Sequence, residues 1–206
     1  MGLAKFKVGP VMNLRYLIKR TIKNIFLLLL LPAYLFYRVI SLFVNQDSVF
    51  QSCSQSLSLV PGLIGVYMRA AFYRLSCPDT SDEISVGFLT VFSHWDTTIK
   101  KGVYIGPQCN IGSCEIGQNT LLGSGVHVLS GKSQHFFSDL TKPIQQQGGA
   151  FTKIKIQEDC WIGNCSIVMA DLPQRVVVAA GSIVTTSPAS RSVVAGNPAK
   201  PIKNQG

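Results

Sequence analysis

From Ile99 onward the aliphatic residues recur every six positions. Ile99, Ile105 and Ile111 are six apart, as are Ile116, Leu122 and Val128, then Ile156, Ile162 and Val168, then Val178 and Val184. Glycine follows directly at Gly106, Gly112, Gly117, Gly123 and Gly163. A period of six fits neither an amphipathic helix, which repeats every ~3.6 residues, nor a half-buried strand, which alternates every ~2. It fits a coil with three flat sides, one hexad to a side. Each aliphatic residue then points into the prism and stacks on its equivalent one turn away. The glycines are expected to supply turn dihedrals that a Cβ forbids.

The pattern predicts a prism over residues 84–203, with a ragged first turn before Ile99. Ile111 to Ile116 is one residue short of a hexad. Val168 to Val178 spans ten residues where two hexads need twelve, which predicts a tightened turn around Asp171–Arg175. The large interruption is a loop insertion at residues 129–155, containing Gly131, Gly148, Gly149 and the run Gln145–Gln147. A polar excursion from a regular scaffold is a loop, and such loops carry function.

Residues 1–80 contain no hexads. Lys5, Lys7, Arg15, Lys19, Arg20 and Lys23 lead into Ile25–Val44, an apolar run broken by Pro32 and Arg38. Its length meets the ~20 residues of a membrane span, but a charge such as Arg38 is costly in the bilayer interior. The expectation is an α-helix that lies in the interface, or dips in and returns at Pro32, with the basic arm on the cytoplasmic side of the membrane. Leu57–Leu75 reads as a second interfacial helix with Arg69 and Arg74 at headgroup level. Membrane contact is thus assigned to residues 11–75. A helical cap packed on the prism is the alternative. Asp79–Glu83 is a polar hinge between the halves.

Hydrophobic residues make up 47% of the 206 and charged residues 14%, too apolar a balance for a disordered chain. A net charge of +9 implies an anionic partner, such as lipid headgroups or a polyphosphate cofactor. Basic runs interleaved with aromatics and zinc-finger spacings are lacking, so no nucleic acid is expected. The six cysteines (53, 77, 109, 114, 160 and 165) form no C-x-x-C and read as reduced thiols of a cytosolic domain.

The strings WIGNCSIVMA, VVAAGSIVTTSP and VVAGNPAKPIK resemble the hexapeptide-repeat acyltransferases, closest to the sugar and polysaccharide O-acetyltransferases and the streptogramin and xenobiotic acetyltransferases. The likeness covers about Val91–Lys203. It implies a mainly β fold, a left-handed parallel β-helix against the usual right-handed crossover rule. It also implies a homotrimer with active sites between prisms, and acetyl-CoA or another acyl-CoA as co-substrate with no metal. The acceptor it implies is a hydroxyl of a saccharide, and the membrane-contacting segment suits a lipid-linked glycan.

In that family a loop histidine serves as general base, and His135, in SGKSQHFF, occupies the matching place. An imidazole titrating near neutrality suits proton removal from an attacking alcohol. His127 reads as a side-facing residue of a hexad. His94, Asp96 and Asp139 are candidates for acceptor binding. By resemblance Gly163, Ala180 and Gly181 let a pantetheine arm approach, Trp161 walls the thioester end or merely packs, and Lys200 and Lys203 meet the nucleotide phosphates. Cys160 and Cys165 lack a paired histidine signature for acyl-thioester chemistry. Three other readings stay open: a non-catalytic hexapeptide scaffold, a serine or xenobiotic acetyltransferase, and a γ-type carbonic anhydrase. Against the last, two of its histidine ligands should lie five apart on one turn, whereas His127 and His135 are eight apart.

Overall fold

The computed structural model describes residues 14–205. Lys5 and Lys7 of the basic arm, and residues 11–13 of the expected membrane segment, lie outside the described residues. Past Ile84 the chain winds as a three-faced coil. Its first turn is β1 (Ser85–Val86), β2 (Val91–Phe92) and β3 (Thr98–Ile99). The second is β4 (Tyr104–Ile105), β5 (Asn110–Ile111) and β6 (Cys114–Ile116). The third is β7 (Leu121–Leu122), β8 (His127–Val128) and β9 (Ile154–Ile156). Then follow β10 (Trp161–Ile162), β11 (Ile167–Val168), β12 (Val177–Val178) and β13 (Ile183–Val184). Finally β14 (Ser192–Gly196) turns back on antiparallel β15 (Ala199–Asn204).

Hydrogen bonds run between turns, giving three parallel faces. The first is β1-β4-β7-β10-β12-β14, closed by β15. The second is β2-β5-β8-β11-β13, and the third is β3-β6-β9. The predicted inward residues, from Ile99 through Val184, are 0–1% exposed. Burying each such side chain stabilises the coil by roughly 1.5–3 kcal/mol.

Several details of the coil refine the sequence reading. The first turn is complete, though ragged as expected: Val86, Phe92 and Ile99 are all fully buried, with seven residues rather than six from Phe92 to Ile99. The short side of the fourth turn lies between Val168 and Leu172, not around Asp171–Arg175. Leu172 is the missing inward residue, fully buried and bridged to Ile156. The excursion closes at Ile154, so Ile154 and Lys155 belong to β9. Lastly, the hexad glycines answer a shortage of space. A Cβ on Gly106 would lie 2.7 Å from the Gly123 carbonyl carbon, and one on Gly163 would lie 2.5 Å from the Ala180 nitrogen. The left-handed turn position comes three residues after inward residues of the first and third faces, such as Ile105, Ile116, Leu122 and Val178. Gly125 and Gly181 fill it, but so do Gln108, Asn119, Asp159 and Cys165.

Three helices precede the coil: α1 (Leu14–Ile40), α2 (Gln46–Ser58) and α3 (Gly62–Ser76). Helix α1 runs unbroken through Pro32, so the expected return bend is absent. By length and composition alone it is long and apolar enough to cross a membrane. One stripe of it, with Phe26, Leu30 and Tyr37, packs mainly on α3. The opposite stripe is bare: Leu28, Leu29, Leu35, Phe36 and Val39 are all more than half exposed. Leu57–Leu75 is not one helix, because the chain turns at Leu59–Pro61. Nor is Arg69 at a surface. It is fully buried, donating from Nε to the Val86 carbonyl (2.9 Å) and from one terminal nitrogen to the Leu57 (3.0 Å) and Val60 (2.8 Å) carbonyls. Ala70, Ala71, Phe72 and Tyr73 of α3 are buried with it, and the Tyr73 ring centroid lies 4.5 Å from that of Phe92. The helices are therefore docked on the first turn of the prism, with α1 outermost.

Candidate functional site

The long excursion leaves from the corner between the second and third faces. Its two legs are held together by backbone bonds: Thr152 N–H donates to the Ser130 carbonyl (2.9 Å), Ala150 to Ser133 (2.7 Å) and Phe136 to Gly148 (3.0 Å). His135 stands on the outgoing leg, exposed, and makes no hydrogen bond among the described residues. Gly149 faces it across the legs. A Cβ there would lie 1.8 Å from the Gln134 carbonyl oxygen, so only glycine lets the legs close beside the histidine.

Asp139 lies at the loop tip. Its carboxylate accepts from Thr141 N–H (3.0 Å) and Oγ1 (2.6 Å) and pairs with Lys142 at 3.3 Å. Those Thr141 and Lys142 bonds hold its carboxyl below the usual range. Gln147 bonds the Asp139 and Lys142 carbonyls and the Asp139 N–H. Asp139 therefore organises the tip and is committed there.

The returning leg passes the same corner one and two turns back. Lys153 meets the Asp96 carbonyl and, at 3.8 Å, its carboxylate. Both carboxylate oxygens of Asp96 also accept from Ser113 Oγ at 3.0 Å. His94 packs against Phe151 at 5.5 Å, and its Nδ1 lies 2.9 Å from an Asp47 carboxylate oxygen. The second Asp47 oxygen accepts from Trp95 N–H at 3.0 Å. Helix α2, the β2–β3 corner and the loop thus meet at one place. Sequence reading found His94 and Asp96 but missed Asp47, Phe151 and Lys153, which lie 47 to 57 positions from their partners and carry no local signal.

The remaining candidates lie elsewhere. Register places Tyr104, Leu121, Trp161, Val177, Val193 and Lys203 in one outward row along the first face. Trp161 is 56% exposed, so it is not part of the core. With Gly163, Ala180 and Val193 it lines a groove of about 490 Å³ whose walls are mostly apolar. Gly181 is outside that lining. It holds a φ of +70° in a turn, with open space where a Cβ would be. Lys203 ends the row, and Lys200 lies opposite Ala195 on the closing hairpin. His127 points outward from the second face, between Asn110 and Ile167. Within one chain, His135 and the Trp161 groove occupy different corners of the prism.

Cys160 is buried, which raises its thiol above the ordinary range. Burial likewise pushes Cys77 up to about 12. Maleimide at pH 7.5 should therefore modify exposed Cys165 first, Cys53 more slowly, and Cys77 and Cys114 only after unfolding, as read by peptide mass spectrometry. Among the described residues no three His, Cys, Asp or Glu side chains are grouped to hold a metal ion.

Residues 96–130 match the family model described as bacterial transferase hexapeptide (six repeats). That stretch carries the hexapeptide repeat. The fold agrees with that of a maltose O-acetyltransferase from Clostridium difficile 630, at 19% identity and a TM-score of 0.67, over 78% of this chain and 89% of that one. It also agrees with a hexapeptide-repeat acetyltransferase from Vibrio cholerae, at 19% identity and a TM-score of 0.55, over 78% and 93% of the two chains. No curated protein sequence matches significantly. These likenesses make the coil a left-handed β-helix.

Proposed function

We propose that the protein is an acyl-CoA-dependent O-acyltransferase, most simply an O-acetyltransferase, acting on a hydroxyl of a saccharide or lipid-linked glycan. The observation that carries this reading is the loop. It is a braced hairpin on a rigid coil, with glycine required opposite His135 and the imidazole left exposed. The folds with which it agrees belong to an O-acetyltransferase and an acetyltransferase.

Acetyl-CoA supplies an activated acyl carbon. His135 takes the proton from the acceptor hydroxyl as its oxygen attacks the thioester carbon, the C–S bond breaks, and the proton passes to the departing CoA thiolate, a role worth ~10²–10⁴-fold in such reactions. The groove of Trp161, Gly163 and Ala180 fits a thin pantetheine arm, and Lys203 offers a point charge at its end. Because groove and histidine sit on different corners, a complete site takes one from each of two neighbouring prisms, as in a homotrimer. The bare stripe of α1 rests in the interface on the cytoplasmic side of the membrane, which would raise the effective concentration of a lipid-carried acceptor.

The test is acceptor-dependent release of free CoA. Purified protein incubated with acetyl-CoA and a panel of oligosaccharides should liberate thiol in step with acetylated product. Release that never depends on a hydroxylated acceptor would sink the reading.

A further inference from the structure

An open groove runs between α1 and α2, floored by Phe72 and walled by Phe36, Ile40, Val44, Cys53 and Leu57, with a volume of about 500 Å³. That is within the ~300–1,000 Å³ usual for ligand pockets. From Ser48 to Leu57 it follows α2 for about 14 Å at the helical rise. Three serines, Ser48, Ser52 and Ser56, also line it. None calls for a polar ligand. Ser52 Oγ donates to the Ser48 carbonyl (2.8 Å), Ser56 Oγ to the Ser52 carbonyl (2.9 Å), and Ser48 Oγ to Asn45 Oδ1 (3.4 Å). The groove is thus apolar in effect, although hydroxyls flank it.

Two features say what it holds. On its outer side it is continuous with the bare apolar stripe of α1, through Phe36, which is 66% exposed, and Val44. At its Ser48 end the next residue is Asp47, which bonds His94 and Trp95 at the corner where Phe151 and Lys153 of the catalytic loop arrive. One end is therefore continuous with the bare apolar stripe and the other leads to the His135 loop, where Lys153 is already paired with Asp96.

We infer that this groove seats the hydrocarbon chain of a lipid-carried acceptor and delivers its polar head to the loop corner. The inference rests on the transferase reading and names its acceptor as one carried on a hydrocarbon chain, for which a prenyl phosphate is the probe. Bulk bilayer, a second copy of the chain and the chain's own first residues are the competing occupants.

The experiment uses the full chain carrying Cys165→Ser, with Cys53 as reporter. Farnesyl monophosphate should slow maleimide modification of Cys53 saturably, by about tenfold or more, and inorganic phosphate should not. Ser52→Phe or Ser56→Phe, each at an exposed position, should fill the groove and abolish the lipid-dependent slowing without altering circular dichroism. The proposal falls if farnesyl monophosphate gives no slowing, or slowing that both variants retain. It also falls if vesicles of phosphatidylcholine and phosphatidylglycerol protect Cys53 fully and the prenyl phosphate adds nothing. Protection that grows with protein concentration alone, or that disappears when residues 1–13 are deleted, would assign the groove to another copy or to the chain itself. Protection is read without acyl-CoA. Its failure therefore leaves the transferase reading standing, and an inactive transferase leaves protection measurable.

Discussion

Replacing His135 by alanine should reduce acetyl transfer by about 10²–10⁴-fold while leaving thermal stability and oligomeric state unchanged. The residue is exposed and unbonded among the described residues, so its removal costs no packing. A second variant, Ala180→Trp, should also be inactive, because an indole at this exposed position obstructs the groove that Trp161 and Gly163 line. The informative measurement is the mixture. If each site draws its imidazole from one prism and its groove from the next, randomly assembled trimers of the two dead chains regain some sites. A site works when the chain giving the histidine is the groove-blocked one and its neighbour is the alanine variant. With equal amounts that probability is one half times one half, so about a quarter of wild-type turnover should return. A site contained in one chain returns nothing. Full activity of His135→Ala alone would remove the histidine from its role.

The prism was legible because its signal is local and repeated. Each inward aliphatic residue has an equivalent a fixed distance along the chain, and all of them from Ile99 to Val184 are buried. Leu172 escaped because the side before it is four residues long, and a period search skips a side of the wrong length. The glycines were read for the wrong property. Sequence shows that a Cβ is missing but not whether φ or a neighbouring backbone requires its absence, and at Gly163 it is the neighbouring turn. That His135 stands on the excursion was legible from its place after a hexad. Its setting was not, because the closing contacts of Gly149, Gln147 and Lys153 depend on how the loop folds back. Arg69 was the most misleading residue. An arginine in an apolar helix looks the same in sequence whether it lies at a lipid headgroup or at three backbone carbonyls.

That arginine gives the largest expected effect on stability. Arg69 lies in α3, yet its three acceptors belong to the end of α2, the turn after it, and β1 of the prism. The guanidinium fork is the polar joint between the helices and the first turn. Gly65 exists to admit it: a Cβ there would lie 2.8 Å from the bonding terminal nitrogen of Arg69 and 1.9 Å from the Val60 carbonyl oxygen. Alanine at residue 69 would leave the Leu57, Val60 and Val86 carbonyls without this donor and open a cavity where a fully buried side chain stood. A buried acceptor left without its donor costs about 1–3 kcal/mol, and the cavity adds to that. Arg69→Lys should fall between the two, since an ammonium keeps the charge but lacks the planar fork that spans carbonyls of separate elements. Urea denaturation should show the loss, and limited proteolysis should show where it lies. Cleavage in Arg69→Ala should concentrate between residues 40 and 84 while the coil from Ile99 onward persists, because its inward stack rests on neighbouring turns, whereas Phe92 of the first turn packs on Tyr73 and donates its N–H to Ser54 Oγ. Cleavage spread evenly through the coil would mean that the helical cap and the prism unfold as one unit.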